Sequence, residues 1–204
     1  MLRLALLGSV IVAAVLVSPV AAASETPIPN EQRPTEFVTR SFEPSGPRFL
    51  GTMAFSFVAL QYRDAEAADA NIEVVTDTIL DGTSMDASAL HPTSSLPVGD
   101  RSFARTGVIE DLAVGSSLVD AQIAVLSWRI GDVNVVGIAA SLGTDPLPDL
   151  SAVASKAEAR GTTGPAIRRE SEGRTDSGLW VALPELADLP SGFVLDTEEG
   201  PILP

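Results

Sequence analysis

The chain has 204 residues, 45% of them hydrophobic but only 5% aromatic, and carries 13 basic against 27 acidic side chains for a net charge of −14. So acidic a chain has no basic footprint for nucleic acid and is repelled by anionic membrane surfaces. The absence of cysteine excludes disulfides, thiolate nucleophiles and thiolate metal sites. The length suffices for one domain with an aliphatic core plus tails.

Met1-Leu2-Arg3 is a short basic start, Leu4 to Val17 an unbroken apolar or small run, and Ser18-Pro19 interrupts it before Ala21-Ala22-Ala23. This order reads as a secretory signal peptide over residues 1–23, its apolar stretch too short for a comfortable membrane span. Cleavage leaves 181 residues with 12 basic and 27 acidic groups, net −15. The expected destination is the medium, the periplasm or the cell envelope. An acidic, cysteine-free exported chain fits a bacterial source, and its surface charge keeps it soluble.

Residues 24–47 contain Pro27, Pro29, Pro34, Pro44 and Pro47 among polar side chains and read as an extended leader, with Glu36 to Phe42 available as an added edge strand. The α+β domain is expected over residues 48–161. Its first strand, Arg48 to Tyr62, puts Phe55, Phe57 and Ala59 on one face and Val58, Leu60 and Tyr62 on the other, so it is central. A helix follows over Asp64 to Leu80: Asp64 caps it, Ala68, Ile72, Val75 and Ile79 form its apolar stripe, Asp69, Glu73 and Asp77 face away, and Gly82 stops it. Thr83 to Val98 is turn-rich. Gly99-Asp100 is a turn, Arg101 to Glu110 a strand, Asp111 to Ser117 a loop and Leu118 to Ile130 a long strand. Gly131-Asp132 is a two-residue hairpin signal, and Val133 to Leu142 returns. A second helix, Asp149 to Arg160, is expected to be capped by Asp149 and to bury Leu150, Val153, Ala154 and Ala157. Residues 162–178 form a polar linker. Residues 179–204 are an apolar segment and an acidic tail, in which Pro184 to Leu189 make a short turn with Leu186 and Leu189 inward and Gly192 to Asp196 extend. The fold class that follows is α+β: a curved antiparallel sheet of four to five strands, order β-α-β-β-β-α, with the two amphipathic helices on one face.

Val98-Gly99-Asp100, the run Val125-Leu126-Ser127-Trp128-Arg129-Ile130-Gly131-Asp132-Val133-Asn134-Val135-Val136, and the helix opening at Asp149 together resemble a pattern in exported bacterial proteins. It is similar to the extracellular sensor-type domains of actinobacterial serine/threonine kinases and to related surface lipoproteins of unknown role. The shared features are a Gly-Asp turn, a strand ending in an aromatic and an arginine, a Gly-centred turn and a valine-rich return strand. The resemblance implies a fold and a binding-type role, and identifies no ligand.

Catalytic chemistry finds little footing. His91 is the only histidine, sits in a Ser/Thr-rich stretch before Pro92, and no Gly-x-Ser-x-Gly elbow accompanies it. Lys156 is the only lysine, and its neighbour Ser155 points to another side of the helix. Asp64, Glu66, Asp145 and Asp149 lie at helix starts, where carboxylates cap. Asp196, Glu198 and Glu199 cluster near Gly200 without EF-hand spacing. No cofactor or metal is expected. The candidate binding residues are Trp128, Arg129 and Trp180, since aromatic and arginine side chains dominate interface energetics. Adjacent strand residues point to opposite faces, so Trp128 is expected to pack under a helix while Arg129 faces water. The leading functional expectation is an exported, non-catalytic binding or sensor-type module for a protein or small-molecule partner. The alternatives are an exported carboxylate-dependent hydrolase, metal-assisted in one form, and a passive envelope component.

Overall fold

A strand apolar on both faces needs cover on both sides, and that requirement organises the molecule. The computed structural model describes residues 33–46, 50–82, 89–93, 96–114, 117–163 and 178–202. Its elements run β1 (Glu36–Pro44), β2 (Gly51–Gln61), α1 (Ala65–Gly82), β3 (His91–Thr93), β4 (Arg101–Val114), β5 (Ser117–Ile130), β6 (Val133–Leu142), α2 (Leu147–Thr163) and β7 (Phe193–Ile202). Two 3-10 segments, Gly178–Ala182 and Leu186–Asp188, precede β7. The strands form one antiparallel sheet in the order β3-β4-β5-β6-β2-β1-β7. The chain is thus mixed α and β with a predominantly antiparallel sheet. Among the described residues that sheet has seven strands, where four to five are expected from the sequence. β1 and β7 occur where the sequence offers an added edge strand and a short extended segment, β3 is the strand not expected, and β1 lies inside β7 instead of forming the edge.

Strand alternation splits the core in two. Phe55, Phe57 and Ala59 of β2 join Leu126 and Trp128 of β5 and Leu150, Val153 and Ala154 of α2. Val58, Leu60 and Tyr62 join Ile123, Val125, Val136 and Ile138, with Ala68, Val75 and Ile79 of α1. The helices therefore cover opposite faces, which corrects the expectation of two helices on one face. The physical reason is that β2, β5 and β6 are apolar on both sides, and a single helical layer would leave one of those sides in water.

Helix α1 starts where its cap allows: the Asp64 carboxylate accepts from the Ala67 N–H at 2.8 Å. That backbone bond, and after it the Arg63 side chain, hold the Asp64 carboxyl below the usual carboxylate range. Ala68, Ile72, Val75 and Ile79 are all buried. Polar contacts fix the helix on the sheet: Thr76 Oγ1 and Ser127 Oγ are 2.7 Å apart, and Asn134 Nδ2 donates to the Ala68 carbonyl at 2.8 Å. Helix α2 begins earlier than the sequence suggests and is not capped by Asp149. Asp145 Oδ1 accepts from the Leu147 N–H at 2.9 Å, while Asp149 Oδ2 accepts from Thr52 Oγ1 at 2.7 Å.

The β5–β6 hairpin turns at Gly131-Asp132, with Gly131 at φ 59°. The Gly99-Asp100 turn docks on it: Asp100 N–H donates to the Arg129 carbonyl at 2.8 Å, and Asp100 Oδ2 accepts from the Gly131 N–H at 2.9 Å. The paired Gly-Asp turns in the sequence are thus two halves of one hydrogen-bonded corner. Residues 1–23, with the expected signal peptide, lie outside the described residues, as do residues 24–32 of the leader and 164–177 of the linker.

Candidate functional site

The three candidate binding residues fall on both sides of the sheet. Trp128 is fully buried, its ring edge-on to Phe57 at 6.5 Å, within the cluster that contains Leu150 and Val153. No part of that ring reaches the surface in this conformation. Arg129, the next residue, points to the α1 face and lies 3.3 Å from Asp69 and 3.3 Å from Asp100. Its Nη1 also donates to the Gly131 carbonyl at 2.9 Å. Trp180 packs partly buried against the same cluster as Trp128, with the Arg40 guanidinium 5.3 Å from its ring centroid. The fold therefore brings Trp128 and Trp180 to one core and separates Arg129 from both.

Two ionic assemblies surround these residues. On the α1 face, Arg101 pairs with Glu73 at 2.7 Å and with Asp69 at 3.3 Å, and Arg105 pairs with Asp77. The acids expected to face away from the α1 stripe thus meet arginines of β4 and β5 along the helix flank. On the other side, Arg40 of β1 donates to the Pro184 carbonyl at 2.8 Å and pairs with Glu198 of β7. Arg160 of α2 donates to the Leu183 carbonyl at 2.9 Å and to Asp188 at 2.7 Å, and Lys156 reaches the Asp188 carbonyl at 3.2 Å. Lys156 is thereby a clamp on the C-terminal segment. Sequence spacing gave no sign of this assembly, because its partners are 23–158 residues apart.

Among the described residues two ionisable side chains are buried, Asp188, which pairs with Arg160, and Tyr62. Burial pushes its phenol up to about 12, opposed by a hydrogen bond with the Asn134 side chain. A phenol so placed stays neutral at ordinary pH and acts as a structural hydrogen-bonding group. His91 is exposed on the short strand β3. Among the described residues no group of three His, Asp or Glu side chains is arranged to hold a metal ion. None of the described helices is long and apolar enough to cross a membrane.

The most conspicuous outward feature is one end of the sheet. The last β5–β6 pair is Ala121 with Leu142, yet β4 and β5 continue to pair through Leu112 with Val119 and Val114 with Ser117. This ribbon overruns its neighbours. Leu118 on it is 66% exposed, and Leu50, just before the β2 residue that pairs with Leu142, is 73% exposed. The sequence reads Asp111 to Ser117 as a loop, so the ribbon is a feature that sequence reasoning missed. The signal available was the apolar run Leu112-Ala113-Val114, too hydrophobic for a free loop.

No family model, curated protein or solved structure matches this chain.

Proposed function

We propose that the protein is an exported, non-catalytic binding module that meets a protein partner with the end of the sheet bearing Leu50, Leu118 and the β4–β5 ribbon. The observation that carries this reading is the exposure of two leucines at one end of a molecule whose other large side chains are mostly packed. Burying a leucine side chain in an interface is worth about 1.5–3 kcal/mol. Isolated exposed leucines are ordinary, but two at the same end of the sheet, beside a projecting ribbon, single out that end as an interface. The amino-terminal run over residues 1–23, the sensor-domain resemblance of the hairpin and the strongly acidic composition support export and a binding role.

The test is the double variant Leu50→Asp/Leu118→Asp. Both side chains are exposed, so its melting temperature stays within a degree or two of wild type. Capture of envelope proteins by the immobilised full chain falls in the variant if this end is the interface. Equal capture by both proteins, with equal melting temperatures, overturns the assignment.

A further inference from the structure

The segment 178–202 is held by the rest of the chain in the manner of a bound peptide. Leu179, Leu183, Leu189 and Phe193 are buried in the α2-face core, with the Phe193 ring 5.1 Å from Phe55. Its main chain is read at many points. Arg40 holds the Pro184 carbonyl, Arg160 the Val181 and Leu183 carbonyls, and Lys156 the Asp188 carbonyl. Ser45 N–H and Oγ both donate to the Gly192 carbonyl, at 2.9 and 3.2 Å. β7 then adds to the edge of β1 from Phe193–Pro44 to Ile202–Phe37. Strand addition for affinity, alternate pockets for side chains and cationic groups on carbonyls are the ingredients of peptide recognition by a sheet edge. All the receiving groups (β1, β2 and α2) precede residue 164, so the six remaining strands and both helices form the receptor and residues 178–202 the occupant.

We infer that the groove formed by β1, β2 and α2 is a peptide-binding site, filled in this structure by the chain's own residues 178–202, and that it takes the same segment from a second copy of the chain. The contacts that hold the segment are non-covalent and identical whether it arrives in cis or in trans. What favours cis is the tether, which keeps the segment at an effective concentration of about millimolar. Cutting that tether removes the advantage and opens the site to exchange. Gly200 sets the specificity of the strand end. It sits at φ +126°, and a Cβ there would lie 2.8 Å from Val38 Cγ1 and 3.0 Å from the Phe37 carbonyl oxygen. Only a residue without a side chain lets β7 approach β1 so closely.

The experiment inserts a site-specific protease sequence between residues 169 and 174 of the full chain. The cut protein is then mixed with a fluorescent peptide of residues 178–202. Expected are binding to cut protein, little binding to uncut protein, and about ten-fold weaker binding of the Gly200→Val peptide. Native mass spectrometry of two mass-tagged cut preparations is expected to show exchanged fragments. If neither peptide uptake nor fragment exchange follows cleavage, the segment is an integral part of one folding unit and the inference fails. A Gly200→Val peptide that binds as well as the native one removes the strand-addition geometry and overturns it likewise. Neither readout involves Leu50 or Leu118, so failure here leaves the proposed interface untouched.

Discussion

The two faces of the sheet are built in different ways. The α1 face is assembled from residues near one another in the chain: β2 runs directly into α1, whose stripe meets β5 and β6. Its rim is ionic, with Asp69, Glu73 and Asp77 against Arg101, Arg105 and Arg129. The α2 face has a helix of similar length but is completed by Leu179, Leu183, Leu189 and Phe193 from the far end of the chain. It also carries most of the aromatic core, with Phe42, Phe55, Phe57 and Trp128 together. One face is thus self-sufficient, and the other depends on a segment that arrives last. Function that requires a detachable element therefore belongs on the α2 face.

The largest test of this contrast compares two buried acids. Ile72→Asp places an uncompensated carboxylate under α1, a loss of about 3–5 kcal/mol that unfolds a marginal domain. Leu183→Asp introduces the same charge under the detachable segment. The expected outcome is release of residues 178–202, β7 included, with strands β1 to β6 intact, seen in hydrogen exchange as retained protection in β5 and β6. If both variants lose protection everywhere, the faces are one cooperative unit and the contrast disappears.

A second test is alkaline pH, which acts on the α1 face through Tyr62. Its folded-state phenol, raised to about 12, lies above the ordinary value of 10.0. The folded state therefore holds the proton longer than the unfolded state. The associated stability is fully present below pH 10 and is lost as pH rises through about 12, amounting to about 2–3 kcal/mol. Denaturant melts of wild type and Tyr62→Phe between pH 9 and 12 measure it. The Phe variant should lose this component of the alkaline decline, and parallel curves would show that Tyr62 does not carry it.

These contrasts explain what was legible in the sequence. The β5–β6 hairpin was expected over Leu118 to Ile130 and Val133 to Leu142, and occurs as Ser117–Ile130 and Val133–Leu142. A Gly-Asp turn between alternating apolar runs is local information. So is the α1 stripe, bounded by Asp64 and Gly82. Which face each helix covers is not local: alternation shows that β2 has two apolar sides without saying which helix takes which. β7 was legible only to Asp196, because Thr197-Glu198-Glu199-Gly200 lacks alternation and is held by β1 and Arg40. Leu186 was expected inward and is exposed, because the 3-10 turn Leu186–Asp188 buries Asp188 against Arg160 instead. Of the candidate site, the sequence supplied aromatic and arginine residue types, while their partners depend on long-range packing.

A smaller effect is expected at the corner shared by both faces. A Cβ added at Gly131 has open space around it, so the cost of Gly131→Val is chiefly that of the positive φ. That cost is about 1–2 kcal/mol. Thermal melts should show a modest drop, and Gly131→Asn should recover part of it because Asn tolerates the left-handed region. A drop as large as that of Ile72→Asp would mean that the Asp100 contact to the Gly131 N–H, and with it the whole corner, is lost.

The smallest effect concerns the ionic rim, and it decides whether the α1 face owes its self-sufficiency to charge or to its stripe. Glu73 is well exposed, and its 2.7 Å pair with Arg101 is open to water on both sides. Exposed pairs of this kind contribute about 0–1 kcal/mol, because solvent screens the attraction and ordering two long side chains opposes it. Arg101 also keeps Asp69 when Glu73 is lost. Glu73→Lys should therefore shift the denaturation midpoint by no more than about 0.5 kcal/mol. Raising the salt from low to molar concentration should erase even that difference. A loss comparable to that of Ile72→Asp, abolished by salt, would instead make the rim a principal support of α1, and the α1 face would then depend on β4 as the α2 face depends on residues 178–202.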